Sequence, residues 1–168
     1  RLRASEAYLA VRAGGTMLAK EHTAMLRALL DAAKARPARK FDNVRVVVVG
    51  SFCEQPPVAL IVTLERSGCD IIDDDLQLGM RMLEGPIDLD ASEDPIECIA
   101  LAYLNRGAAT ASRYIGELVK GRSLIEKVKR SGAEGVVFVG GSFCDPALLD
   151  QPMLETALQK EGIPFTSL

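Results

Sequence analysis

The residues of this chain best suited to chemistry are two cysteines that occur in the same tetrapeptide. Gly-Ser-Phe-Cys ends at Cys53 and again at Cys144, each time just after a short run rich in valine. An acid follows each cysteine, Glu54 in the first copy and Asp145 in the second. A thiol placed just past a buried strand can bind a metal cluster or take part in redox chemistry. The repeat indicates that one unit of strand, turn and helix is used twice.

The segments around these turns predict a parallel α/β sheet. Residues 44–49 and 136–139 are mostly β-branched, as is typical of strands buried on both faces. Further strands are predicted at 69–73 and 163–168. Helical patterns fill the intervals, at 56–67, from 95, at 110–130 and at 150–161. The alternation predicts an open, flavodoxin-like or Rossmann-like parallel sheet of four strands in the order 2-1-3-4, with helices on both faces.

The chain divides into two predicted parts. Residues 1–40 form a helical lead interrupted at Gly14-Gly15, and residues 41–168 form the α/β domain. Because the sequence begins at Arg1 and ends inside a strand-like run, we expect it to belong to a longer polypeptide. His22, the one histidine, is interpreted as a solvated surface residue, because a lone histidine without nearby ligands is a poor base or metal site.

The predicted strand order brings the two cysteine-bearing turns to one place. In open α/β sheets the ligand crevice lies beyond the carboxyl ends of the strands where the order reverses, here between the first and third strands. Adjacent strands are about 4.8 Å apart, so Cys53 and Cys144 are expected to be neighbours. The helix that begins after each turn stabilises negative charge, which favours the thiolate form.

Three interpretations of this pair of cysteines remain open. A phosphate-binding loop is disfavoured, because the sequence has neither GxGxxG nor a run of Ser and Thr. A disulfide, or two ordinary thiols, is the second interpretation, although disulfides are rare in the cytosol. An iron–sulfur site is favoured. Two cysteines cannot complete a four-ligand cluster, so further ligands would come from elsewhere in the parent chain or from a non-protein group.

The remaining candidate groups have simpler interpretations. Cys69 and Cys98 are predicted to be core residues, because Cys69 begins a strand away from the carboxyl edge and Cys98 shares its side of a helix with Leu101 and Ala102. The run Asp73-Asp74-Asp75 could bind a hard cation. Side chains alternate along a strand, however, so at most two of these carboxylates can face one place. A turn followed by a helix N-cap is therefore the favoured interpretation.

The composition and the charge pattern argue against several classes of binding partner and site. The chain has 168 residues, 26% of them charged, and a formal net charge of −3 with both signs interspersed. This pattern argues against a nucleic-acid or membrane surface, and no apolar stretch approaches the length of a membrane span. The four cysteines are too widely spaced for a zinc knuckle or a secreted disulfide framework. A cytoplasmic location is expected.

Four segments resemble the family of benzoyl-CoA reductases and 2-hydroxyacyl-CoA dehydratases, and among its members the reductases in particular. The segments are GSFCEQPP at 50–57, DDDLQLG at 73–79 with Arg81, TASRYIG at 110–116 and SFCDPALLDQPM at 142–153. The resemblance implies the C-terminal domain of a catalytic subunit that carries a [4Fe–4S] cluster.

The resemblance also assigns residues. Cys144, in the Cys-Asp-Pro motif, matches one cluster ligand, and the family's other ligands are expected upstream of this sequence. Cys53 has no family-wide counterpart and is either a ligand particular to the reductases or a thiol beside the cluster. Arg113 resembles a recurrent arginine that could meet the CoA phosphates or the thioester carbonyl, with a helix-surface arginine as the alternative.

The activity implied by the resemblance is ATP-dependent reductive dearomatisation of an aromatic acyl-CoA by electron transfer at low potential. The implied partners are a homologous second catalytic subunit, ATP-hydrolysing activator subunits and ferredoxin as the electron source. The alternative within the family is an (R)-2-hydroxyacyl-CoA dehydratase subunit, which eliminates water by radical chemistry. An alternative from another class is a non-redox α/β binding or assembly module.

Overall fold

A parallel four-stranded sheet forms the centre of the molecule. The computed structural model describes residues 2–37, 42–50, 56–76, 85–106 and 121–168. The strands within these ranges are β1 (Val44–Val49), β2 (Cys69–Asp74), β3 (Gly135–Phe138) and β4 (Phe165–Ser167). Their order is β2-β1-β3-β4, and every neighbouring pair is parallel. The predicted open parallel sheet and its 2-1-3-4 order are confirmed.

Helices cover both faces of the sheet. Those in the described ranges are α1 (Ala4–Arg12), α2 (Ala19–Ala35), α3 (Val58–Arg66), α4 (Pro95–Arg106), α5 (Arg122–Ser131) and α6 (Asp145–Lys160). Residues from α1 and α3 build the core on one face, here called the α1/α3 face. Residues from α5 and α6 build the core on the other, the α5/α6 face.

Strand β1 runs through the middle of both cores. Val46 and Val48 belong to the α1/α3 core, whereas Val47 and Val49 belong to the α5/α6 core. Side chains alternate along a strand, so a strand buried on both faces needs an apolar residue at each position. This requirement explains the four consecutive valines.

Helix α1 is joined to the sheet layer by polar contacts. The carboxylate of Glu65, near the end of α3, accepts the backbone N–H of Ser5 at 3.0 Å and its hydroxyl at 2.7 Å. That N–H lies in the first turn of α1, where no partner exists within the helix. The buried Tyr8 donates its hydroxyl to the carbonyl of Pro56 at 2.7 Å. These bonds attach the first turn and the middle of α1 to α3 and to the segment just before it.

His22 joins α2 to the end of α1. Its Nε2 lies 2.8 Å from the carbonyl of Ala10. The imidazole also lies so close to Gly14 that a Cβ there would be 2.6 Å from the ring. His22 is therefore half-buried and bonded, and its interpretation as a solvated surface residue is wrong. The Gly14-Gly15 pair creates the space that the ring fills.

Two helix boundaries differ from the prediction. Helix α6 begins at Asp145 instead of Asp150, since Pro146 in its first turn has no N–H to leave unsatisfied. Helix α5 begins at Arg122, directly after Gly121, which has a φ of +91°. A Cβ on Gly121 would lie 2.4 Å from the Cβ of Ala157, so glycine permits the close approach of α5 and α6 there. The part of the predicted helix at 110–120 lies outside the described residues.

Helix α4 turns its small residues inward. The predicted burial of Cys98 is confirmed, with 2% of the residue exposed and its thiol 3.3 Å from the carbonyl of Ser92. Pro95 begins the helix as predicted. The larger apolar residues of α4 lie outward, and Ile96 is 74% exposed. They are Ile96, Ile99, Tyr103 and Leu104.

Candidate functional site

The carboxyl ends of β1 and β3 meet at the switch point of the sheet. The N–H of Val139 donates to the carbonyl of Val49 at 2.8 Å. One residue further on, Gly50 has a φ of +104°, and a Cβ at that position would lie 3.1 Å from the backbone nitrogen of Gly140. Glycine is thus required at Gly50 both for its conformation and for the close approach of the two chain segments.

Cys144 lies at this edge, at the start of α6. Its N–H donates to the carbonyl of Gly141 at 3.0 Å, closing a tight turn after β3. Its carbonyl accepts the N–H groups of Ala147 and Leu148, both at 3.0 Å, and so opens the helix. Cys144 is half-buried. The backbone on both sides of the thiol is therefore fixed, and the thiol lies at the positive end of the α6 dipole.

The residue before Cys144 holds an unusual conformation. Phe143 has a φ of +66° and is 95% exposed. A bulky residue in the left-handed region is strained, and such strain is concentrated at functional sites. Leu148 and Leu149, in the first turns of α6, are also exposed. Exposed apolar side chains therefore lie on both sides of Cys144 in the sequence, at the start of α6.

Asp75 ties the end of β2 to Gly50, the residue that follows β1. Its N–H donates to the carbonyl of Val48 at 3.0 Å, and its carboxylate accepts the N–H of Gly50 at 3.0 Å. The second bond holds the backbone where the segment 51–55 begins. Sequence reasoning missed this role, although a carboxylate just after a strand is a frequent partner for exposed N–H groups.

The three consecutive aspartates serve three different purposes. A shift in the register of β2 against β1 places Asp73 beside Val47 and Asp74 beside Val48, so their side chains face opposite sides of the sheet. The carboxylate of Asp73 accepts a hydrogen bond from the ammonium group of Lys127 at 3.3 Å on the α5/α6 face. The lysine and aspartate side chains are only 11% and 16% exposed. The run therefore cannot gather all three carboxylates around one cation.

Asp74 lies on the other side, against the apolar α1/α3 core. Its carboxylate accepts the N–H of Leu76 at 2.9 Å. Burial raises the pKa of Asp74, and the negative charge of Asp73 acts in the same direction, against the Leu76 N–H and Lys127. Strand β2 extends through Asp74, so the predicted turn begins later than expected. Within the described ranges no group of three or more His, Cys, Asp and Glu side chains could hold a metal ion.

The other predicted site residues are distributed as follows. Cys53 and Arg113 lie outside the described residues, so the proximity of Cys53 to Cys144 and the role of Arg113 stay predictions. Cys69 is half-buried against the α1/α3 core, and it pairs with Val44 at the amino end of the sheet. Cys98 is enclosed by its own preceding loop.

Cys144 is thus the one described cysteine at the carboxyl edge of the sheet. Its half-buried thiol, at a helix N-terminus and beside two closely packed glycine backbones, suits a thiolate ligand to iron. A four-ligand cluster would need three further ligands, which the described residues do not supply at this edge. The described residues at this edge therefore supply one ligand for an iron–sulfur cluster, the thiolate of Cys144.

None of the helices in the described ranges is long and apolar enough to cross a membrane. The fold and the site together define an α/β domain that presents a thiol at the ligand crevice of a parallel sheet. A sequence model of the family described as "2-hydroxyglutaryl-CoA dehydratase, D-component" matches residues 1–168, and the chain belongs to this family. The predicted resemblance is confirmed.

Curated relatives from three bacteria are similar to the chain. The C subunit of benzoyl-CoA reductase from Thauera aromatica is 43% identical over 97% of the chain and 42% of its own length. The beta subunit of (R)-phenyllactyl-CoA dehydratase from Clostridium sporogenes is 30% identical over 86% and 37%. The beta subunit of (R)-2-hydroxyglutaryl-CoA dehydratase from Acidaminococcus fermentans is 29% identical over 94% and 41%. The chain spans about two fifths of the length of these relatives.

Proposed function

We propose that this chain is a domain of an iron–sulfur catalytic subunit of benzoyl-CoA reductase, which reduces the aromatic ring of an acyl-CoA thioester. The observation that carries the proposal is the position of Cys144, which begins α6 at the switch point of the sheet. The 43% identity to a benzoyl-CoA reductase subunit, against about 30% for two dehydratase subunits, favours ring reduction.

Cys144 would hold a [4Fe–4S] cluster as one of several thiolate ligands. When bound, the cluster supplies electron transfer at low potential. The α6 dipole stabilises the negative charge of the thiolate, and the fixed turn from Gly141 to Cys144 orients it. Gly50 and Gly140 keep the floor of the crevice free of side chains. The exposed ring of Phe143, next to Cys144, is an apolar surface that would exclude water once it is covered.

The partners in this proposal are a homologous second catalytic subunit, ATP-hydrolysing activator subunits and ferredoxin, with the complex located in the cytoplasm. The names of the relatives support the first of these, because all three are subunits. Cys53 is proposed as a further thiol beside the cluster, and Arg113 as a contact of the CoA thioester.

A second candidate function is elimination of water from an (R)-2-hydroxyacyl-CoA. The specific support is the family description together with the two dehydratase subunits that match the chain over 86% and 94% of its length. The fold and the position of Cys144 serve both reactions equally. The two functions therefore differ in substrate and outcome, and an assay must separate them.

The cluster ligand can be tested by replacing Cys144 in the full-length subunit, purified anaerobically with its partner subunits. We expect Cys144→Ser to lose iron, sulfide and the broad visible absorbance of an iron–sulfur cluster, because serine is a poorer ligand for iron. Cys69→Ser is the matched control, since Cys69 lies at the opposite edge of the sheet. Equal iron content in both variants would overturn the assignment of Cys144.

The reaction can be tested by offering the reconstituted complex benzoyl-CoA and a 2-hydroxyacyl-CoA in parallel. Consumption of benzoyl-CoA with loss of its aromatic absorbance supports the reductase. Water elimination without ring reduction would replace it by the dehydratase. A complex that binds no iron and converts neither substrate would leave the non-redox assembly module as the function.

A further inference from the structure

Helix α4 and the loop before it form a unit with one covered side and one open side. The thiol of Cys98 donates to the carbonyls of Leu89 and Ser92 in the loop, at 3.7 and 3.3 Å. At the other end of the helix, the guanidinium of Arg106 donates to the carbonyl of Pro86. The loop therefore runs back along α4 and covers the side that holds Cys98. Within the described residues, no residue of α4 belongs to either core of the sheet.

The open side of α4 is apolar. Ile96, Ile99 and Tyr103 are three and four residues apart, so they share one side of the helix. They are 74%, 44% and 48% exposed, whereas Ala102 on the loop side is buried. A helix side this apolar is ordinarily packed against protein. Because α4 has 12 residues and is about 18 Å long, about three turns of another helix can lie along it.

The unit is also strongly acidic. Its five carboxylates stand against a single guanidinium, that of Arg106, which gives residues 85–106 a formal net charge of −4. The carboxylates are those of Asp88, Asp90, Glu93, Asp94 and Glu97. The whole chain has a net charge of −3. The negative charge of the chain is therefore concentrated in this unit, and the remainder carries no net negative charge.

Three of these carboxylates lie at the first turn of α4, next to Ile96. Asp94 accepts the N–H of Ile96 at 2.9 Å, and Glu97 accepts the hydroxyl of Ser92. Both donors are neutral, and the side chain of Glu93 is exposed. Among the residues that the structure describes, none of the three acids forms a salt bridge. Uncompensated negative charge thus borders the open apolar side at one end.

We propose that the open side of α4 is a docking surface for a basic amphipathic helix of a partner protein. The apolar stripe of that helix packs against Ile96 and Ile99, and its lysines or arginines lie beside Glu93 and Glu97. The carboxylates argue against an anionic membrane surface or a nucleic acid, because both would be repelled. This inference does not rest on the iron–sulfur proposal, since none of these residues lies at the crevice at Cys144.

A designed peptide of about 18 residues, long enough for five helical turns, tests the surface. It carries a leucine stripe flanked by lysines, and a second peptide has the same stripe flanked by glutamates. Fluorescence anisotropy measures the affinity of each labelled peptide for the full-length protein. We expect the lysine peptide to bind at least about tenfold more tightly than the glutamate peptide and to bind more weakly as salt is added. The methyl signals of Ile96 and Ile99, labelled for NMR, should shift on titration.

Variants separate the apolar contribution from the charged one. Ile96→Glu should weaken binding of the lysine peptide at least about tenfold, and Glu93→Gln should weaken it about threefold. Leu30→Glu and Glu21→Gln, at exposed positions of α2, are the matched controls and should bind as the unchanged protein does. Circular dichroism checks that each variant folds. The methyl shifts of the unchanged protein locate the peptide independently of any variant.

Several results would overturn the proposal. One is the absence of binding of the lysine peptide by the full-length protein, and others are equal affinity for the two peptides or unchanged binding by Ile96→Glu. Binding by residues 1–168 but not by the full-length protein would show that the rest of the polypeptide covers this side. Self-association of the protein that Ile96→Glu abolishes would assign the side to a second copy. Iron content measured in the Ile96→Glu protein keeps these outcomes separate from any failure at Cys144.

Discussion

The two faces of the sheet are built in different ways. On the α5/α6 face, Leu158 is completely buried, and Phe138 and Phe165 pack edge to face with ring centroids 6.0 Å apart. On the α1/α3 face, hydrogen bonds from Ser5 and Tyr8 attach the first turn and the middle of α1, and a cavity lies between this helix and the sheet. The first face gains its stability from close packing, whereas the second keeps an open space next to the sheet.

Asp73 and Asp74 show the same difference within two residues. Asp73 forms a salt bridge with Lys127 on the closely packed face, and both side chains are nearly buried. Asp74 faces the cavity, and burial raises its pKa because the Leu76 N–H and the charge of Lys127 compensate only part of the lost hydration. One carboxylate is therefore expected to stabilise the fold at neutral pH and the other to weaken it.

The largest effect is expected for Leu158→Ala. Removing a fully buried leucine from a close-packed core leaves a cavity and costs about 2–5 kcal/mol. The free energy of unfolding in urea, followed by circular dichroism, measures the loss. Leu149→Ala on the same helix is the control, because Leu149 is exposed and should change stability by less than about 0.5 kcal/mol. Similar losses in both variants would show that this face is not the main source of stability.

Asp73→Asn should have the next largest effect, a loss of about 2 kcal/mol at neutral pH, since it leaves the charge of Lys127 poorly compensated in a nearly buried position. Urea unfolding again gives the value. Lys127→Met in the same chain should recover most of the loss, because the pair is then replaced by uncharged side chains. A double variant as unstable as Asp73→Asn would contradict this explanation.

Tyr8→Phe tests the polar attachment of α1. It removes the hydroxyl that donates to Pro56 and should cost about 1 kcal/mol. Hydrogen exchange measured by NMR should quicken for the amides of α1 more than for those of β3. Uniform exchange changes throughout the described residues would show that α1 unfolds together with the rest of the domain.

The smallest effect, of opposite sign, is expected for Asp74→Asn. The folded-state pKa of Asp74 is raised above its ordinary value of 3.8. Stability from this group is therefore complete below that value and is lost as the pH rises through the folded pKa. Asp74→Asn should be slightly more stable than the unchanged chain at pH 7 and equal to it in acid. Urea unfolding across that pH range checks this prediction, and a constant difference between the two proteins would contradict it.

Several features could be predicted from sequence because they depend on local patterns. The valine runs predict buried strands, and the alternation of strands and helices predicts the sheet order. The same reasoning places Cys144 at the carboxyl edge, where the structure has it. The family could be recognised from four short segments.

Other features depend on contacts that pattern does not reveal. Asp73 and Asp74 face opposite sides of the sheet because the register of β2 against β1 shifts, and no residue type in the sequence predicts that shift. Apolar residues on the outward side of α4 have the same helical spacing as those on a buried side. The sequence alone therefore does not tell whether that side faces the core or the solvent. His22 fills the space above Gly14, a contact that depends on how α2 turns back on α1.

The exposed ring of Phe143 has a practical consequence. The chain contains no tryptophan, so Phe143→Trp would introduce a single indole fluorophore one residue from Cys144. Because the present side chain is 95% exposed, the substitution disturbs no packing within the described residues. Emission from that indole would then report, in real time and without a label, when the crevice at Cys144 is covered.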